Sequence, residues 1–127
     1  MLTDSEAYSG FAVKDVEQAR RFYAETLGLG VADVEDEAMR GYLMRLQIKG
    51  SRDVLVYAKP DHVPATFTIL NFPVPDIDSA VDELVGRGVT MLRYDGFDQD
   101  ERGIAAAGPR IAWFTDPSGN ILSVAQA

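Results

Sequence analysis

A chain of 127 residues, 46% hydrophobic and 25% charged, fits one globular domain of ordinary composition and is long enough to bury a core without covalent staples. It has no cysteine, which excludes disulfides and thiolate chemistry. Its net charge of −8 argues against nucleic-acid binding, which needs Lys and Arg to neutralise phosphates, and reads either as a solvated surface or as a field that attracts cationic small molecules.

In chain order, Met1 to Gly10 has neither a basic n-region nor an apolar h-region, so no secretory signal is expected. No apolar run approaches the ~18 residues of a membrane helix. The expectation is a cytoplasmic protein with no membrane partner. Phe11 to Tyr23 (FAVKDVEQARRFY) reads as a strand entering a capped helix. Asp15 is placed as N-cap, and Glu17 sits at the positive end of the helix dipole. Val16, Ala19, Phe22, Tyr23 and Leu27 share one face at helical spacing, and Gly28 and Gly30 end the helix. Strand-like runs follow at Val31 to Val34, Gly41 to Ile48 and Val54 to Ala58, the last two separated by the turn Gly50-Ser51-Arg52-Asp53.

Phe72 to Leu84 (FPVPDIDSAVDEL) repeats the grammar of the first segment, about half a chain later. Asp76 takes the cap position and Asp78 the acidic position. Ile77, Ala80, Val81, Leu84 and Val85 form the apolar face, and Gly86 and Gly88 end the helix. Strands are expected at Thr90 to Tyr94, Ile111 to Thr115 and Ile121 to Ala125, with a tight turn at Asp116 to Asn120. Each half therefore reads β-α-β-β-β. The expected organisation is one domain over 1–127, with module one at about 6–59, a linker at about 60–65 and module two at about 66–127.

Val13-Lys14-Asp15-Val16 running into Arg21-Phe22-Tyr23 and Leu27-Gly28, then Val74-Pro75-Asp76-Ile77, then Trp113 to Asn120 (WFTDPSGN), resemble the vicinal oxygen chelate superfamily. That superfamily includes glyoxalase I, bleomycin-resistance proteins, fosfomycin-resistance enzymes and extradiol dioxygenases. The resemblance spans essentially the whole chain. It implies an α+β fold, the glyoxalase/bleomycin-resistance/dioxygenase fold, in which two βαβββ modules have curved mixed sheets that form a cup for ligands. It also implies a homodimer.

Metal-dependent members of the superfamily hold a divalent ion with His, Gln or Glu on four strands. The resemblance places those positions at Tyr8, seven residues before Asp15, at Ile69, seven before Asp76, at Ser123, seven after Asp116, and at Leu55 on the strand Val54 to Tyr57. None is a usual ligand for a divalent ion. The expectation is no metal and no cofactor. The single histidine, His62, falls in the linker, where a surface residue is commoner than a ligand. Without Cys or a placed His, no nucleophilic triad can be assembled, and Gly28-Leu29-Gly30 follows a helix instead of opening one.

Strand alternation then sorts a cup lining from the residues. It comprises Tyr8, Leu43, Arg45, Leu55 and Tyr57 in the first module. In the second it comprises Phe67, Ile69, Asn71, Ile111, Trp113, Ile121 and Ser123. Trp113 and the tyrosines can stack on a planar ring, and Arg45 can meet an anionic group, a carbonyl or a π-face. The competing reading makes these residues core or dimer contact. Tyr94 to Pro109 is long for a strand connection and acidic. It reads as a lid over the cup or as a solvated loop, with Phe97 and Ile104 expected to dock.

Two functions compete. One is a non-enzymatic binding protein that sequesters a hydrophobic or aromatic compound such as an antibiotic. The other is a metal-free lyase or isomerase, for which Tyr8, Tyr57 and Arg45 are the available groups. A metalloenzyme with ligands relocated to Asp95 or Asp98 ranks third.

Overall fold

The computed structural model describes residues 1–106 and 108–127, and it divides into two compact units, Met1–His62 and Val63–Ala127. Each carries a four-stranded sheet of identical topology.

In the first unit, β1 (Gly10–Val13) leads into α1 (Val16–Arg21), followed by β2 (Gly30–Asp33), β3 (Leu43–Gln47) and β4 (Val54–Ala58). The strand order is β1-β4-β3-β2, with β1 parallel to β4 and the other pairs antiparallel. Asp15 caps α1 through its side chain, which accepts from the backbone N–H of Gln18 at 3.2 Å. The helix does not run on to Leu27 as its spacing predicts. It widens at Arg21 into a π-turn over Phe22–Thr26, closed by Leu27 N donating to Phe22 O at 3.0 Å. Tyr23 is fully buried there, edge-on to Phe22 at 5.2 Å and tilted against Phe11 at 5.8 Å. The π-turn lets Tyr23 pack fully inward while Phe22 stays half-buried against its edge. Gly28, at φ 75°, then reverses the chain in a conformation that other residues rarely adopt.

The core of this unit lies between α1 and one face of the sheet. Val13, Met44, Leu46 and Val56 are fully buried there, and Val54 nearly so. Arg20 on α1 pairs with Asp33 of β2.

In the second unit, β5 (Thr68–Val74), α2 (Ile77–Gly86), β6 (Ala105–Ala106), β7 (Arg110–Thr115) and β8 (Ile121–Gln126) give the order β5-β8-β7-β6, with β5 parallel to β8. Asp76 caps α2, accepting from Ser79 N at 3.3 Å and Ser79 Oγ at 2.9 Å. Gln126 ties the helix start to β8, accepting from Ile77 N at 3.1 Å and donating to Pro75 O at 2.6 Å. Ile77, Val81, Ala112, Phe114, Leu122 and Val124 fill the core.

The strand expected at Thr90 to Tyr94 is not formed. Met91 makes a single bridge to Phe114, and Leu92 N donates to Trp113 O at 2.8 Å. The reason is Gln99. Its side chain accepts from Tyr94 N at 2.8 Å and donates to Leu92 O at 3.0 Å and Gly103 O at 2.7 Å. These are backbone groups that a continuing strand would otherwise have to pair. The chain leaves the edge of β7 and returns to it as β6.

The turn Asp116 to Asn120 is closed by the nearly buried Asp116. Its Oδ1 accepts from Ser118 N at 2.9 Å and Asn120 N at 3.0 Å, and its Oδ2 accepts from Asn120 Nδ2 at 2.9 Å. This motif builds a hairpin, and its polar groups face inward. Gly119 has φ 84°, and a Cβ there would lie 3.1 Å from Pro64.

Phe114→Ala is expected to cost about 3–5 kcal/mol and Asp76→Ala about 1 kcal/mol. Urea unfolding followed by circular dichroism measures both.

Candidate functional site

A strand buried on one side presents every second side chain on the other. In the first sheet the partners Gly10–Leu55, Arg45–Leu55 and Ala32–Arg45 place Gly10, Leu55, Arg45 and Ala32 in one row across the face turned from α1. Ala12, Tyr57 and Leu43 form the next row. The floor of this face is low where β1 passes β4. A Cβ on Gly10 would approach Leu55 O to 3.1 Å.

A concavity of about 700 Å³ lies on this face, lined by Tyr8, Val34, Leu43, Arg45 and Leu55, with Glu6 and the segment Ser51 to Asp53 at its polar end. The volume falls within the roughly 300–1,000 Å³ of small-molecule sites. Four of the residues singled out from the sequence, Tyr8, Leu43, Arg45 and Leu55, therefore come together. Tyr57 lies on the same face but does not line the concavity. Val34, Glu6, Arg52 and Asp53 are lining residues that the sequence reading passed over. Alternation from Ala32 would have found Val34. The others sit in loops, where no periodicity points. Arg52 and Glu6 form an exposed pair at 3.8 Å.

In the second sheet, the partners Asn71–Ser123 and Trp113–Ser123 set Asn71, Ser123 and Trp113 in one row. Ile111 is the next alternate position on β7, paired with Ala125. Ser123 is fully buried, and its hydroxyl donates to Asn71 Oδ1 at 2.5 Å. The register shifts between Thr68 and Leu70, at Ile69. The strict alternation that joins Phe67 and Ile69 to Asn71 is thus interrupted, and Phe67, just before the strand, is 68% exposed.

Trp113 is not a bare platform. Tyr94 meets it edge-on at 5.4 Å, and Phe97 tilts against it at 5.4 Å. Ile104 is buried. The acidic loop thus docks through apolar side chains, and through Arg102 it also reaches the carboxylates of α2. Arg102 pairs with Asp82 at 2.8 Å, and Arg110 pairs with Asp78 at 2.9 Å. Hydrogen bonds from Arg110 hold the Asp78 carboxyl below the usual carboxylate range, and those from Arg102 do the same for Asp82. A second concavity, of about 450 Å³, lies beside α2 at Val81, Val85 and Val89 and holds none of the residues chosen from the sequence.

The four positions where the resemblance calls for metal ligands are a phenol, two branched alkyl chains and a hydroxyl already donating to an amide. These groups do not fit a divalent ion. Among the described residues no group of three or more His, Cys, Asp or Glu lies together to hold one, so Asp95 and Asp98 gain no companions. His62 is half-buried, with a buried Nε2 that has no hydrogen-bond partner among the described residues.

The model of the Glyoxalase/Bleomycin resistance protein/Dioxygenase superfamily matches residues 7–124. The chain belongs to this superfamily. No curated protein matches it. Among solved structures, TnmS3, an antibiotic binding protein from Streptomyces sp. CB03234, is 25% identical with a TM-score of 0.68, and 97% of each chain is covered. A glyoxalase/bleomycin resistance protein from the same organism is 26% identical with a TM-score of 0.62, covering 94% of this chain and 100% of that one. A glyoxalase family protein from Enterococcus faecalis shares the fold at 18% identity, with a TM-score of 0.70 over 99% of this chain and 100% of that one. The two four-stranded mixed sheets are those of this α+β fold. Among the described residues no helix is long and apolar enough to cross a membrane.

Phe97→Ala is expected to expose Trp113, shifting its emission to the red and raising its quenching by acrylamide. The two aspartate pairs carry a pH signature. Their folded-state carboxyl values lie below the unfolded ones, so the pairs contribute fully above the usual carboxylate range and are lost as pH falls through the depressed values. Asp78→Asn and Asp82→Asn are expected to lower Tm at pH 6. The gap from the parent protein should narrow as pH falls below the usual carboxylate range, as read by thermal melts across that range.

Proposed function

We propose that this protein binds a hydrophobic or aromatic small molecule stoichiometrically, without metal, and holds it unchanged. An antibiotic is the favoured kind of ligand. The observation that carries the reading is the concavity of the first sheet, where Leu55 and Tyr8 stand at positions that ligate metal in metal-dependent relatives. An apolar floor there gains affinity by removing ligand surface from water, which needs no reacting group. General acid–base chemistry at neutral pH calls for a histidine or a tuned carboxylate; no histidine lines the concavity, and its two acids, Glu6 and Asp53, are both solvent-exposed. The similarity to an antibiotic binding protein at 25% identity points the same way. Asn71, Ile111, Trp113 and Ser123 are proposed as further ligand contacts, together with Tyr57, Phe67 and Ile69, and the protein is proposed to act as a homodimer.

Native mass spectrometry of protein purified from cells, paired with elemental analysis of the same sample, tests the reading. The expected result is a metal-free dimer carrying, or taking up, an aromatic compound that is released with its mass unchanged. Stoichiometric metal, or release of a chemically altered compound, would overturn it in favour of an enzyme.

A further inference from the structure

Arg45 stands in the middle of the open face of the first sheet. β3 is an inner strand, and the register sets Arg45 between Ala32 and Leu55, neither of which can pair with a guanidinium. Arg20, Arg87, Arg102 and Arg110 all face carboxylates. The Arg45 guanidinium has no ion pair or hydrogen bond among the described residues, although two acids line the same concavity. Glu6 is turned to Arg52 at 3.8 Å. Asp53 lies two residues before Leu55, about 6–7 Å away along the strand.

An unpaired guanidinium beside Leu43, Leu55, Val34 and Tyr8 is a cation on an apolar floor. Its planar fork matches a carboxylate or sulfonate, and it can bind an oxygen anion through two parallel hydrogen bonds. The net charge of −8 does not oppose this at close range. At physiological ionic strength the field of distant charges is screened over about 8 Å.

We infer that the ligand carries one acidic group on a hydrophobic body, the acid paired to Arg45 and the body laid on Leu43, Leu55, Val34 and Tyr8. The acid is a carboxylate, a sulfonate or an ionised phenol. This rests on the sequestration reading and narrows it to a class. Among the described residues Arg45 and Asp53 are the lining charges without an ion pair, one of each sign, so an acid is drawn to Arg45 and away from Asp53. Asp53 limits the ligand to a single acid by repelling a second one further along the face.

The test uses two probes with one skeleton. 8-Anilinonaphthalene-1-sulfonate carries an acid, and N-phenyl-1-naphthylamine lacks it. Both gain fluorescence on binding. The parent protein is expected to bind both. Arg45→Met, which keeps the apolar stem, is expected to weaken the sulfonate by about tenfold or more, as for a lost charged hydrogen bond, and to leave the neutral probe within about twofold. Arg45→Lys should fall between, and Asp53→Asn should tighten the sulfonate alone. Rising salt should weaken only the sulfonate. Unchanged thermal melts show that the variants are folded, as expected for exposed positions. Equal loss of both probes in Arg45→Met, or no loss of either, overturns the acidic-ligand class and leaves sequestration standing. Binding of neither probe by the parent protein overturns both.

Discussion

The burial of Met44, Leu46, Val54 and Val56 beneath α1 is the constraint from which the rest of the first unit follows. Each side chain contributes roughly 1.5–3 kcal/mol when taken from water. A slip of one residue would expose the set and drive Arg45 into the core, where an unpaired charge costs several kcal/mol. The register is therefore locked. Leu43, Arg45, Leu55 and Tyr57 face away from the helix because their neighbours must face it. The binding surface is the other side of the same decision.

The second unit uses the same topology with different polar chemistry. Its row of Asn71, Ser123 and Trp113 has a buried hydroxyl satisfied by an amide, so Ser123 needs no metal to be stable there. Its acidic connection is long because Gln99 takes over hydrogen bonds that a straight strand would otherwise make. That excursion carries Phe97 to Trp113 and leaves the carboxylates of α2 to arginines. Arg102 of the loop anchors it to Asp82 of α2, and its aromatic residue Phe97 reaches the face where ligands are proposed to sit.

The two open faces differ in what they offer. The first has a concavity whose apolar floor carries Arg45 and whose rim is charged, and the second has an aromatic cluster with an amide. Among the described residues neither face gathers three or more His, Cys, Asp or Glu. Membership of a superfamily that includes metalloenzymes establishes the fold, and the reaction has to be argued from the residues of the site.

The sequence by itself determined the doubled βαβββ plan. The repeated Phe-x-Val-x-Asp segment and the period-two strands are local signals, and capping, alternation and turn chemistry act over a few residues. It also determined which side chains share a face wherever alternation runs unbroken, which leaves out Phe67 and Ile69, and that the four positions the resemblance assigns to metal hold Tyr8, Leu55, Ile69 and Ser123, because identity needs no geometry. Only the tertiary structure decided where regular spacing yields. The π-turn at Phe22–Thr26 depends on how two rings pack, the missing strand at Thr90 to Tyr94 depends on a glutamine several residues away, and the shift at Ile69 depends on the neighbouring strand. It alone decided that Glu6, Arg52 and Asp53 join Arg45 around one concavity, since loops meet through the sheet they flank and not through any pattern along the chain.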